Sequence, residues 1–309
     1  MSAQPFTRLE YSVADGIATI AFNTPKSLNA IAKDFYYELP AALKRAEEDE
    51  KVVVTLITAY GRYFSSGQDV TEQPVELPPA QSDADATRAY YRRRFDGSVG
   101  RIALAMAAHP KVLVVGLNGP VVGVAAAMIS HADLIYVSDT ATLHAPFTAL
   151  AISPEAGSSF MFVRRMGVAK AMEALLLSKK FTPHELVTCG FANAILPTTD
   201  FHATLRTALL ATLANVSPAS LRVTKALVRG AYGAEAERNI HEEVAALTER
   251  YSITRIARFL VSSITWDFTC PPLRNKRIDP FPSTSRFVSG APQKVFAGLA
   301  TQFGKKNKL

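Results

Sequence analysis

The 309 residues are 48% apolar and 20% charged, enough for one large core with an appended lobe. They hold no apolar run long enough to cross a membrane, and Met1-Ser2-Ala3-Gln4-Pro5 lacks the basic and apolar regions of a secretory leader, so an intracellular protein without membrane insertion is expected. The 34 Lys and Arg exceed the 27 Asp and Glu by enough to give +7, which suits an anionic partner. The basic residues are nonetheless spread out, apart from Arg92-Arg93-Arg94 and Lys305-Lys306, and no nucleic-acid module accompanies them.

In chain order, the alternating runs Leu9 to Val13 and Ile17 to Phe22 flank Ala14-Asp15-Gly16 and predict an antiparallel hairpin. A helical pattern follows Asn29 to about Ala46 and ends in Glu47-Glu48-Asp49-Glu50; Val52 to Ile57 then reads as a buried β-branched strand. Glu72 to Thr87 sets Pro74, Pro78 and Pro79 among acidic and small polar residues, which predicts a mobile surface loop. Lys111 to Leu117 is a second buried strand leading into a helix over about Gly123 to Ser130, and Leu134 to Val137 is a third strand. This βα alternation predicts a largely parallel sheet covered by helices. Helical segments near 200–214, 217–229 and 234–263 follow, after which Pro271, Pro272, Pro280, Pro282 and Pro292 forbid regular helix. The expected division is therefore an α/β core over 1–199, a helical lobe over 200–264, and an arm over 265–309 that is either extended on a partner or disordered.

Two loops carry the chemistry. The first is Gly61-Arg62-Tyr63-Phe64-Ser65-Ser66-Gly67-Gln68-Asp69, directly after the Val52 strand, where glycine permits a sharp turn and close backbone approach. The second is Leu117-Asn118-Gly119-Pro120-Val121-Val122-Gly123-Val124-Ala125-Ala126-Ala127, a strand running through glycine into a helix. Amides in the first turn of a helix have no internal partner and suit an oxyanion. Taken singly, each loop is equally at home as an ordinary turn or as close helix–sheet packing.

Together and in this order the loops resemble the paired signature of the crotonase, or enoyl-CoA hydratase/isomerase, superfamily. Asn23-Thr24-Pro25-Lys26-Ser27-Leu28-Asn29-Ala30 resembles its amino-terminal motif, and Ala132-Asp133-Leu134 its junction after the second loop. The resemblance spans roughly Glu10 to Ile264 and implies a crotonase-like α/β spiral of repeated ββα units with a C-terminal helical lobe, assembled as a trimer or a dimer of trimers. It further implies that the backbone N–H groups of Gln68 and Val124 form an oxyanion hole for an acyl-CoA thioester, with Ser66, Gly67 and Gly123 at the substrate. Asp69 anchors its loop, while Lys26, or an arginine of Arg92-Arg93-Arg94, meets the CoA phosphates; a solvated helix face is the alternative for those arginines. No cofactor is implied beyond the CoA of the substrate.

Hydratases of this family use two glutamates, and at the matching positions this chain has Ala127 and Phe147. A carboxylate does occur in Ile152-Ser153-Pro154-Glu155-Ala156-Gly157-Ser158-Ser159, which resembles the catalytic segment of the 3,2-enoyl-CoA isomerases. There one glutamate moves the proton from C2 to C4. Two readings of Glu155 stand side by side: that proton carrier, or a cap on the helix beginning near Gly157. The six histidines show no HxxxH or HExxH spacing and no nucleophile elbow accompanies them, so neither a metal site nor a serine triad is expected. Phe160, Met161, Phe162 and Met166 suit either an acyl channel or plain core. Asn307-Lys308-Leu309 resembles a peroxisomal import tripeptide, with Asn replacing the small first residue.

Overall fold

Strand β1 (Leu9–Ala14) turns through Asp15 and Gly16 into β2 (Ile17–Phe22), and both turn residues take the positive φ, 51° and 77°, of a two-residue hairpin that follows the strand twist. The computed structural model describes residues 6–71, 78–79 and 82–253. Helix α1 (Phe35–Glu48) starts later than the apolar pattern predicts and runs into the acidic stretch. The reason is local: Leu28 and Asn29 both sit at φ 53°, which no helix can include, so 28–34 is loop.

Next come β3 (Val54–Ala59), α2 (Ala84–Phe95) and, through a π-helical turn at Asp96–Gly100, α3 (Arg101–Ala108). The expected surface loop over 72–87 is thus shorter at its end, because Asp83 caps α2 by accepting from the Ala86 amide at 2.7 Å. Residues 72–77, 80 and 81 lie outside the described residues. Then follow β4 (Val112–Leu117), β5 (Val121–Val122) and α4 (Val124–Met128), which tightens into a 3₁₀ turn at Ile129–His131. The chain continues through β6 (Leu134–Ser138), β7 (Leu143–His144) and α5 (Ser158–Leu177), the last broken at Gly167 (φ 71°, ψ 162°). After β8 (Lys180–Phe181), α6 (Pro183–Thr188) and β9 (Ala194–Leu196) come three helices, α7 (Phe201–Leu213), α8 (Pro218–Gly230) and α9 (Gly233–Ile253).

The main sheet runs β1-β2-β3-β4-β6-β9, parallel throughout except for the β1–β2 hairpin, and β5-β7-β8 form a small second sheet. Every residue of β3 is buried, as a central strand covered on both faces requires. Alternate residues divide between two cores: Val54 and Leu56 pack with Phe201, Leu205 and Leu209 of α7, whereas Ile57 and Ala59 join Phe35, Leu39, Ile102 and Met106 of α1 and α3. The chain divides into two units at Thr265, and only the first, Met1–Thr265, contains described residues. Helices α7 to α9 belong to the first; the expected helix beyond 253 and the arm over 265–309 lie outside the described residues.

Asp133 acquires a structural explanation. Its carboxylate accepts from the Leu113 amide at 2.7 Å and pairs with Lys225 at 2.6 Å and Arg229 at 3.0 Å, tying α8 to the junction of β4 and β6.

Candidate active site

Because β3 and β4 are parallel neighbours, the loops that follow them emerge at the same edge of the sheet, where parallel sheets place ligands. The two loops are sewn together there: Phe64 N donates to Pro120 O at 3.0 Å and Val122 N to Ser65 O at 3.0 Å. Asn29 holds the first loop from behind, its amide donating to Tyr60 O (2.8 Å) and Tyr63 O (2.9 Å) while its Oδ1 accepts from Thr24 N. Asp69 closes the loop by accepting from the amide and hydroxyl of Thr71, both at 2.8 Å.

Gly67 (φ 87°) and Gly123 (φ 59°) meet where the loops cross. A Cβ on Gly67 would lie 2.9 Å from Val122 O and 3.8 Å from Gly123 Cα, so only glycine allows this approach. The residues that follow, Gln68 and Val124, are thereby brought side by side. Among the described residues neither backbone N–H has an acceptor, Val124 being the first residue of α4. Ser66 is half-buried, its amide spent on Leu28 O at 3.0 Å, and Lys26 is exposed on the adjoining turn Pro25–Ser27.

Glu155 stands on the turn before α5, where Ala156 (φ 55°) and Gly157 (φ 78°) are both left-handed. It does not cap that helix. The acceptor for the first-turn amides is instead Glu243 of α9, which takes Gly157 N and, at 2.7 Å, Ser159 N. Burial first, and the neighbouring charge of Glu243 second, push the Glu155 carboxyl up to about 8. Tyr36 of α1 and Tyr251 of α9 line the same place: burial, and after it the Glu155 charge, hold both phenols protonated. Tyr36 also donates to Gln68 Oε1, so one side chain touches the first amide loop and feels the carboxyl.

Gln68, Val124, Gly67, Gly123, Asp69 and Glu155 therefore share one region, with Ser66 and Lys26 at its rim. Of the three arginines, Arg92 bonds Asp96 at 2.8 Å on its own helix, Arg93 is exposed, and Arg94 acts on Tyr36 and Tyr251. Ala127 and Phe147 are buried core. Of the four channel candidates, Met161, Phe162 and Met166 are buried and Phe160 is half-buried, its ring 6.4 Å from that of Tyr232. Reading the chain alone misses Tyr36, Tyr251 and Glu243, since nothing in a helical pattern separates Glu243 from Glu242. A cavity of about 790 Å³ beside α5 and α8, lined by Arg164, Arg165, Lys225 and Arg229, includes Met161 of the channel candidates but neither Glu155 nor any residue of the two glycine loops.

Two amides without an acceptor among the described residues, at the carboxyl edge of a parallel sheet and near a half-buried carboxyl, mark an α/β protein with a polarising pocket. Residues 12–257 match the enoyl-CoA hydratase/isomerase family, and the chain belongs to it. It is 40% identical over 184 residues to a Delta(3,5)-Delta(2,4)-dienoyl-CoA isomerase of Pyricularia oryzae, covering 58% of this chain and 65% of that one. To enoyl-CoA delta isomerase 2 of Homo sapiens it is 36% identical over 225 residues, 72% of this chain and 55% of the relative. To the peroxisomal enoyl-CoA delta isomerase 3 of Mus musculus it is 35% identical over 246 residues, 80% and 74% respectively. The chain thus spans less than two thirds of the length of the first two of these relatives. Among solved structures, OdaA of Pseudomonas aeruginosa superposes with a TM-score of 0.72 at 28% identity, over 84% of this chain and 99% of that one. The crotonase fold expected from the motifs is the fold observed.

Proposed function

We propose that the protein is an isomerase that moves the double bond of a 3-enoyl-CoA to the 2-trans position, with Glu155 as its single proton carrier. The observation that carries the reading is a carboxyl relieved of helix capping and raised to about 8, in the same region as two amides that have no acceptor among the described residues. The Gln68 and Val124 N–H groups bind the thioester oxygen, on which negative charge grows as C2 loses its proton to Glu155. The dienolate spreads that charge to C4, and Glu155 returns the proton there. A raised pKa suits both halves of the transfer, because it brings the proton affinity of the carboxylate nearer that of the dienolate. Buried Ala127 and Phe147 supply no second carboxylate to orient water, which argues against hydration.

The names of the relatives support the same chemistry, and the dienoyl-CoA isomerase among them makes a 3,5-dienoyl-CoA the second substrate to try. We further infer a homotrimer or hexamer, no cofactor beyond the substrate's CoA, and residence in the peroxisome. The last is supported by the peroxisomal relative; Asn307-Lys308-Leu309 lies outside the described residues. The test is a turnover panel of 3-enoyl, 2-enoyl and 3,5-dienoyl thioesters of graded chain length. Conversion of 3-enoyl-CoA to the conjugated product, without hydration of 2-enoyl-CoA, is expected; hydration in its place sinks the reading.

A further inference from the structure

The turn that carries Glu155 has an unusual source of support. Two successive left-handed residues, one of them the non-glycine Ala156, do not hold their shape unaided. Three bonds hold them here. His131, kept neutral by burial, donates from Nε2 to Ala156 O at 2.8 Å, and Gly157 N and Ser159 N donate to the two oxygens of Glu243. A local cap is sterically barred, since a Cβ at Gly157 would lie 2.6 Å from His131 Nε2 and 3.1 Å from Ile240 Cγ1. Serine, threonine or aspartate therefore cannot occupy the capping position, and the acceptor has to come from another element. Glu243 is buried, 5% exposed, and reaches across from α9, 86 positions away from Gly157. Asn239, one turn earlier on α9, adds a bond from Nδ2 to Ser159 Oγ at 3.0 Å.

We propose that Glu243 is a positioning residue for the acid–base carboxyl: by clamping the Gly157 and Ser159 amides it fixes the turn on which Glu155 stands. The proposal deepens the isomerase reading and rests on it. The same carboxylate also sits near enough to act on Glu155 by charge, so one side chain sets both where the proton carrier lies and how tightly it holds its proton. Among the described residues, Tyr36 from α1 and Tyr251 from α9 also feel the Glu155 charge, Arg94 from α2 acts on both phenols, and the neutral His131 beyond α4 bonds the carbonyl of the next residue, Ala156.

The test compares Glu243→Gln and Glu243→Asp with the wild type, reading kcat and KM on 3-enoyl-CoA. The Glu155 titration is followed separately by carbon NMR on glutamate-labelled protein. Glu243→Gln is expected to lower kcat on the order of 10²-fold, the usual consequence of a small misplacement, with KM nearly unchanged. The Glu155 midpoint moves to lower pH as the neighbouring negative charge disappears. Glu243→Asp keeps the charge but is too short for both amides, so kcat falls while the midpoint stays near that of the wild type. Wild-type kcat and an unmoved midpoint in the folded Gln variant overturn the proposal and leave Glu243 a helix cap, visible only in Tm. Should the Gln variant not fold, full kcat in the Asp variant overturns it equally. A wild-type protein that leaves 3-enoyl-CoA unchanged defeats the isomerase reading instead, and the NMR midpoint still decides whether Glu243 acts on Glu155.

Discussion

Glu155 is placed where its ionisation is difficult, and that difficulty has two measurable consequences. A pKa raised to about 8 favours the protonated carboxyl in the free protein at pH 7, so the proposed base is the minority form there. The kcat/KM profile, which reports the free enzyme, should therefore climb with pH and level off near 8. Glu155→Gln should lose on the order of 10²- to 10⁴-fold in turnover, the range of a positioned acid–base group. Stability moves the other way. The folded state raises this pKa above its ordinary 4.5, so the stability linked to the held proton is complete below that value and is lost as pH rises through about 8. The Gln variant does not titrate. Its Tm should exceed the wild type's at pH 9 by more than at pH 5, whereas a Tm that falls at both would return Glu155 to a structural role.

At the scale of elements, the site depends on two loops whose backbones touch. Gly67→Ala places a Cβ 2.9 Å from Val122 O on a residue with φ 87°, so the loops must part and the Gln68 amide must leave its place beside Val124. Losing an aligned donor to a developing oxyanion typically removes 10²- to 10³-fold of turnover, and a strained left-handed alanine costs roughly 1–3 kcal/mol of stability. Gly97→Ala is the control, because its new Cβ meets no atom within 4 Å. Equal activity in the two variants would show that the contact between the loops is irrelevant to turnover.

For the whole molecule, the exposed apolar side chains call for explanation. Val168, Met172 and Leu176 repeat every four residues along α5, and Val223, Leu227 and Val228 stand out on α8, Leu227 at 74% exposure. Such rows on a surface are the faces that the proposed assembly would cover. Light scattering should report a trimer or a multiple of it, and Leu176→Glu combined with Leu227→Glu should shift the mass toward the monomer. A wild-type monomer at micromolar concentration removes the assembly from the proposed function.

The five longer strands, the largely parallel sheet and both glycine loops were legible in the sequence because each rests on a local rule: β-branched runs for buried strands, and glycine where a backbone must turn through positive φ or approach another closely. The two- and three-residue strands β5, β7, β8 and β9 were not, being too short to leave a pattern. Glu155 was legible as a candidate, but as cap or proton carrier alike, since a carboxylate before a helix serves either purpose. Tertiary structure removed the first of these readings, bringing Glu243 from α9 to accept the Gly157 and Ser159 amides and leaving Glu155 without that task. It also decided the late start of α1, where Asn29 gives up helix to bond Tyr60 O and Tyr63 O. The same holds for the tyrosines around the carboxyl, which lie on α1 and α9, helices far apart in the chain. No local pattern encodes such pairings: they arise when helices from distant segments pack on one sheet edge, and burial there supplies Gly157 and Ser159 with a distant acceptor and raises the Glu155 pKa.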